Sequence, residues 1–317
     1  MNMNPYMQTI SAIRTQLEAC ILGKSAEIKL LLTAVLAGGH VLVEDVPGTG
    51  KTQLIKALAR TINGQFRRIQ CHPDLLPSDI TGVSIFHPGE EQFVFRSGPV
   101  FTNILLVDEI NRATTKTQSA LLEAMEERYV TVDGESYALP HPFMMFATQN
   151  PIEFDGTYML PEAQLDRFML RISLGYPDAA TEASLLFSHQ YGQPIDTVQA
   201  VTEMETLAQI QAEVRHIHLD QAVGDYLVNI VRKTRDHALT VLGASPRASV
   251  SFMQAAKAYA FVQGRDYVIP DDLKELAPHV LAHRITLRPE ARIEGLTPYT
   301  FMDQVLKQVD VPVRLER

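Results

Sequence analysis

Apolar positions along the chain change period several times, and each change marks a new element. Ile10, Ile13 and Leu17 fall at helical spacing, and IKLLLTAVLA (28–37) is a strongly apolar helix candidate. Short strand candidates then recur: HVLVE (40–44), FRRIQ (66–70), NILLVDE (103–109) and FMMFAT (143–148). A fifth ends the segment QLDRFMLRISL (164–174), whose first half reads as a short helix. The runs that are apolar throughout suit strands buried on both faces. Helices are expected between them. KTQLIKALARTI (51–62) places Leu54, Ile55, Leu58 and Ile62 on one side, and TKTQSALLEAMEE (115–127) is a second helix. SIFHPGEEQFVF (84–95) and RYVTVDGESYAL (128–139) read as hairpins that turn at Pro88-Gly89 and Asp133-Gly134. Strands alternating with helices predict an α/β fold on a parallel sheet.

Near residues 175–180 the pattern changes, and almost everything beyond reads as helix. Ser245-Pro246 is a helix start, with Ser at the cap and Pro in the first turn. Pro270 similarly opens a helix through Leu281. The expected organisation is an α/β nucleotide-binding domain over 1–177 and an all-α lid domain over 178–317.

Between the first strand and the helix that follows it lies EDVPGTGKT (44–52). From Asp45 it fits the phosphate-loop template G-x-x-x-x-G-K-[ST], except that the first Gly is Asp45. The strand–turn–helix context is the one such a loop requires. Pro47, which has no N–H of its own, leads into the backbone N–H groups of Gly48, Thr49, Gly50, Lys51 and Thr52, which at the positive end of a helix make an anion cradle. Gly48 and Gly50 leave room for phosphates to approach the backbone. Lys51 would reach the β- and γ-phosphates, and the Thr52 hydroxyl would hold Mg²⁺. An acid beside phosphates is unfavourable unless its side chain points away, which this turn position permits.

LLVDE (105–109) is an apolar strand ending in two acids. Such an end alone is usually a solvated strand tip, but after a phosphate loop in an α/β pattern it reads as the loop's acidic partner. Asp108 would coordinate Mg²⁺ and Glu109 would polarise the attacking water. Asn150, in ATQNP, ends the fourth strand and could orient that water; its bland reading is a cap before Pro151. Arg167, in LDRF, and Arg247, in GASPRA, are each ordinary solvated charges when taken singly. Cys71 beside His72 lacks a second cluster and reads as structural rather than metal-binding.

Composition narrows the class. The chain has 317 residues, 46% hydrophobic and 21% charged, which is ordinary for a soluble globular protein. No apolar run approaches the ~18 residues of a membrane span, and MNMNPYMQTI is not a signal peptide. Cys20 and Cys71 give no disulfide framework. A cytoplasmic protein is expected. The net charge of −9 argues against a broad nucleic-acid footprint.

Taken together, these motifs resemble the MoxR branch of the AAA+ ATPases. The resemblance runs through ILGK (21–24), GHVLVEDVPGTGKT (39–52), RIQCHPDLLPSDITG (68–82), FRSGPVFTNILLVDEINRA (95–113), LLEAMEERYVTVDG (121–134), FATQNPIEFDGTYMLPEAQLDRF (146–168), GASPRA (243–248) and AHRI (282–285). It implies that Asp45 is a family variant of the first loop glycine. It implies Walker A roles for Lys51 and Thr52, and Walker B roles for Asp108 and Glu109. Asn150 matches sensor 1, Arg167 an arginine finger acting on a neighbouring subunit, and Arg247 sensor 2, in cis or in trans. The segment at Gly23 is similar to one lining the adenine pocket. The two hairpins match a helix-2 insert and a pre-sensor-1 hairpin, which in related ring ATPases face a central pore. His72 stands where Thr is common and Met159 where Pro is common; neither touches the catalytic set.

The implied activity is Mg-ATP hydrolysis by a homo-oligomeric ring, a hexamer, that remodels a client protein or helps insert its cofactor, with a von Willebrand A-domain partner. The sequence runs only a little beyond the lid, so the client is expected to be a separate protein. Two alternatives differ in kind. One is a nucleic-acid motor, which the acids of the hairpins (Glu90, Glu91, Asp133, Glu135) disfavour. The other is an ATP-dependent assembly switch without productive turnover, which Glu109 and Arg167 disfavour.

Overall fold

A computed structural model describes residues 4–89, 91–150, 157–190 and 192–312. Two helices open it, α1 (Pro5–Cys20) and α2 (Ser25–Ala37), the first capped by the Asn4 side chain, which accepts from Tyr6 N–H at 3.0 Å. The chain then lays down β1 (Val41–Glu44), α3 (Lys51–Thr61) and β2 (Phe66–Gln70). A short helix α4 (Pro77–Thr81) leads into a hairpin, β3 (Gly82–His87) and β4 (Gln92–Ser97). Next come β5 (Ile104–Asp108), α5 (Thr115–Glu127), a second hairpin of β6 (Tyr129–Val132) and β7 (Glu135–Ala138), and β8 (Met144–Gln149). The one-turn helix α6 (Glu162–Leu165) and β9 (Leu170–Ile172) complete the α/β part.

The central sheet has the order β2-β5-β8-β1-β9, and all of its pairs are parallel. Its strands are apolar throughout because both faces are covered. Val41, Val43, Ile104, Leu106, Met144, Phe146, Leu170 and Ile172 face one apolar cluster, while Leu42, Leu105, Val107, Met145 and Ala147 face another. The first cluster receives α1, α2 and α3; the second is closed by α5.

The helical part comprises α7 (Ala179–His189), α8 (Met204–Val214), α9 (Gln221–Arg235), α10 (Pro246–Val262), α11 (Pro270–Leu281), α12 (Pro289–Ile293) and α13 (Pro298–Lys307). Ser245 caps α10 by accepting from Ala248 N–H at 3.2 Å, and Pro270 begins α11. One feature departs from the all-helical expectation: β10 (Thr240–Leu242) and β11 (Thr286–Leu287) form a small antiparallel pair. Both runs are too short to be recognised by alternation. The helical part has no core of its own. Phe252, Ala255, Ala256 and Phe301 belong to the same apolar cluster as Leu31 of α2 and Val43 of β1.

Both hairpins form, the first wider than expected, with Gly82↔Ser97 and His87↔Gln92 as its end pairs. Glu90 at its turn lies outside the described residues. Phe95 stacks on Tyr137 at a ring separation of 3.9 Å and joins the two hairpins. Phe86 and Phe93 pack edge to face at the tip, with Phe93 72% exposed.

Candidate active site

Parallel strands bring the predicted chemistry to one edge of the sheet. The strand ends of β1, β8 and β5 are adjacent there, with Glu44 level with Gln149 and Val107 level with Ala147. The phosphate loop leaves β1 at this edge, Asp108 and Glu109 end β5, and Asn150 directly follows β8. All five parallel strands point the same way, so this is the carboxyl edge, where open α/β sheets bind ligands.

The loop has the geometry that its glycines predict. Gly48 and Gly50 have φ of +84° and +89°, a region that L side chains rarely adopt. A Cβ built on either meets nothing within 4 Å, so the space over the loop is open to a ligand. Gly50 caps α3, and Lys51 and Thr52 open it, half-buried. Lys51 Nζ donates to Val46 O at 2.6 Å and lies 3.4 Å from Asp45 O, so it curls back over the loop. This cradle fits a nucleotide polyphosphate.

Asp45 is buried, 6% exposed, and faces away from the cradle. Its Oδ2 accepts from Leu174 N–H and Gly175 N–H, both at 2.9 Å, and its Oδ1 from Val46 N–H at 2.9 Å. The acid in place of glycine therefore ties the loop to the chain leaving β9. Lys24 grips the same segment from the other side, donating to Leu174 O and, at 3.3 Å, to Tyr176 O.

A cavity of about 400 Å³ adjoins the loop. Gly48, Thr49 and Gly50 form one end of it, Ile21, Leu22 and Ile195 supply apolar walls, and Glu182 and Leu185 of α7 close it from the helical part. Its size and apolar sides suit a purine base. Gly23 itself does not line it. It sits at the turn between the lining residues Leu22 and Lys24 with φ +72°, and a Cβ there would come within 3.0 Å of Thr181. Pro47 likewise lies in the loop but off the cavity wall.

The acidic pair is held by a network that the sequence did not announce. Asp108 Oδ2 accepts from Arg68 Nε at 2.6 Å and its Oδ1 from the Thr148 hydroxyl at 3.1 Å. Glu109 has φ +55°, a strained conformation for a non-glycine residue. Its N–H donates to Thr148 Oγ1 at 2.9 Å, and its Oε2 accepts from Gln70 Nε2 at 2.9 Å and from Arg112 at 3.3 Å. Arg68 and Gln70 come from the end of β2; their period-2 spacing in FRRIQ was the available signal. Among the described residues no group of three or more His, Cys, Asp or Glu could hold a metal ion by itself. Thr52 and Asp108 suit Mg²⁺, which takes one or two protein ligands and completes its shell with phosphate and water. Burial and the Asp108 and Glu109 charges push the Cys71 thiol up to about 12, so Cys71 stays protonated.

Arg167 and Arg247 are not at this edge. Arg167 precedes β9 and Arg247 opens α10, so both lie at the amino edge of the sheet. They meet at a single carboxylate. Glu126 Oε2 lies 2.9 Å from Arg167 Nε, and Arg247 grips Glu126 through its terminal nitrogens. These three groups, with Arg128 and His40, line a shallow cavity of about 200 Å³. His40 is buried there. It accepts from Met145 N–H at 2.9 Å through Nδ1, so Nε2 donates to Met125 O at 3.1 Å. Burial, then Arg128, pulls its pKa down to about 3, and it is neutral.

The neighbouring Asp166 anchors this corner to the helical part. Its carboxylate accepts from Ser245 Oγ at 2.9 Å and from Arg284 Nε at 2.7 Å. Arg284 is 3% exposed and also donates to the carbonyls of Asp166, Phe168, Met169 and Val280. Next to it, His283 bonds Phe168 O at 2.9 Å.

Residues 40–170 match the model of the ATPase family associated with various cellular activities (AAA), and residues 232–305 match the AAA lid domain. The chain is 39% identical to Chaperone MoxR1 of Mycobacterium tuberculosis over 96% of its length and 83% of that protein. It is 50% identical to YeaC of Bacillus subtilis, an uncharacterized protein, over 93% and 92% of the two chains, and 32% identical to MoxR of Paracoccus denitrificans over 93% and 94%. A crystal structure from Cytophaga hutchinsonii, solved as a candidate ATPase, superposes with a TM-score of 0.89 at 37% identity, covering 97% of this chain and 96% of that one.

Proposed function

Since the chain belongs to the MoxR family of AAA+ ATPases, we propose that it hydrolyses Mg-ATP at the interfaces of a homo-oligomeric ring, a hexamer, and uses the cycle to remodel a client protein. In this reading Lys51 holds the β- and γ-phosphates against the loop amides. Thr52 and Asp108 hold the Mg²⁺, which neutralises developing phosphate charge. Glu109 polarises the attacking water and Asn150 fixes its position. Gly23 shapes the base pocket, and the functional division of the chain lies at 177/178, where Asp178 caps α7. The client and a von Willebrand A-domain partner are separate cytoplasmic proteins, and the exposed Phe86–Phe93 tip is the surface offered to the client.

One observation carries the shared-site reading. The cavity of Arg167 and Arg247 shares no lining residue with the phosphate-loop cavity. The two lie at opposite ends of strands that, at four residues, are about 13 Å long. Arrangement at opposite edges supports both arginines acting in trans on the ATP of an adjacent copy, and of the two sensor-2 alternatives the proposal takes trans. A finger supplied in trans contributes ~10³–10⁵-fold.

The test is ATPase rate against protein concentration, for wild type and for an equal mixture of Lys51→Ala and Arg167→Ala chains. Each variant alone is expected to be inactive. The mixture should recover part of the wild-type rate, because some interfaces pair an intact loop with an intact arginine. A mixture as dead as its components, with a wild-type rate per chain that is flat in concentration, would overturn the shared site.

A further inference from the structure

The Glu126 carboxylate sits where helix physics would not put one. It lies in the last turn of α5, at the negative end of the helix dipole, where cations are favoured. Its partners explain it: Arg167 on one oxygen and Arg247 on the other. The two contacts differ in kind. Arg247 uses NH2 and, at 3.5 Å, NH1, which is the terminal edge that a guanidinium uses to read a phosphate. Arg167 faces Glu126 with Nε at 2.9 Å, but that buried nitrogen makes no aligned hydrogen bond. Arg167 is therefore held beside the carboxylate by charge, with its terminal edge uncommitted to Glu126, whereas the same edge of Arg247 is occupied.

We propose that Glu126 is a built-in competitor for the terminal phosphate of ATP bound by an adjacent copy: it occupies the phosphate-reading edge of Arg247 in the free subunit and is displaced when the interface forms. The proposal rests on the shared-site reading above. Arg128, Arg167 and Arg247 against the two carboxylates of Glu126 and Asp166 still leave this cavity with net positive charge, which suits an incoming anion. A phosphate, with more charge and more acceptor oxygens than a carboxylate, is the stronger partner for a guanidinium fork. Glu126 thereby keeps Arg247 off stray anions and makes its engagement depend on a loaded neighbour.

The experiment compares the protein concentration at half-maximal specific ATPase activity for wild type, Glu126→Gln, Arg247→Ala and the double variant. Glutamine keeps the shape of the half-exposed side chain and removes its charge. The half-activating concentration of Glu126→Gln is expected to fall by about two- to fivefold, the range a partly exposed ion pair supports. In the Arg247→Ala background, compared by the midpoint of ATP-dependent assembly in light scattering for all four proteins so that no residual activity is needed, the same substitution should produce no further shift, because the competed group is gone. Loss of activity in Glu126→Gln at every concentration would mean that Glu126 orients the arginines, and the proposal falls. An unmoved midpoint, or a shift that persists without Arg247, overturns it equally. If wild-type activity per chain is itself flat in concentration, the shared-site reading has failed and the proposal fails with it; a rising wild-type curve with an unmoved variant sinks the Glu126 role alone.

Discussion

Asp45 shows how one residue can look wrong in a motif and be right in the fold. The template asks for glycine there, but this carboxylate accepts three backbone N–H groups, two of them on the segment leaving β9. Asp45→Gly would restore the template and orphan those donors. Each orphaned buried donor costs about 1–3 kcal/mol, so we expect a melting temperature several degrees lower. ATP affinity should change only a few-fold, because the carboxylate faces away from the cradle. Titration with a fluorescent ATP analogue and thermal unfolding check both; a large gain in affinity would show that the carboxylate faces the phosphates after all. His40 gives a pH prediction. Its pKa is about 3 in the fold against a usual value near 6.5. The unfolded chain therefore binds a proton that the folded chain refuses. The resulting stability is fully present above about pH 6.5 and falls by about 1.4 kcal/mol per pH unit on acidification toward pH 3. His283, likewise held neutral by burial and Arg284, adds to the slope. Urea unfolding at pH 7 and pH 5 should show His40→Gln with a shallower loss than wild type. That the Asp45 side chain can point away was legible in the sequence; its three N–H partners and the burial of His40 were not, because tertiary packing sets both.

At the scale of elements, periodicity and turn chemistry were sufficient for the sheet strands, the loop helix and both hairpins. They missed the short β10–β11 pair, whose strands exist only because each has the other to bond. They also could not show that the hairpins touch. The Phe95–Tyr137 stack is a contact between side chains far apart in sequence, each of which looks like an ordinary strand aromatic. Such a pair contributes about 0.5–1.5 kcal/mol beyond its buried area. Tyr137→Ala should therefore leave the sheet core intact while raising amide hydrogen exchange across β3 and β4. Unchanged exchange there would mean that the first hairpin is held by its own strands.

At the scale of the whole molecule, the α/β and helical parts share one apolar cluster and are clamped by Arg284 across Asp166 and the chain up to β9. The proposed nucleotide site at one sheet edge and the arginines at the other are thus parts of a continuous body. Glu109→Gln tests how that body cycles. It keeps the Gln70-side geometry but removes the carboxylate proposed to polarise water, so ATP should bind and turnover should fall by at least ~10²-fold. Assembly with ATP should persist, read by light scattering. Turnover close to wild type would remove Glu109 from the chemistry.

The sequence by itself determined the α/β class, the phosphate loop, the acidic strand end and the family, because each rests on local spacing: a tight turn needs its glycines, and a buried strand needs a continuous apolar run. Tertiary structure alone decided what Asp45 holds, that Arg68 and Gln70 brace the acids, and that Arg167 and Arg247 meet at Glu126. Those partnerships join residues up to 130 positions apart. They depend on which strands pair and which helix ends face each other, and no local pattern of side chains encodes that.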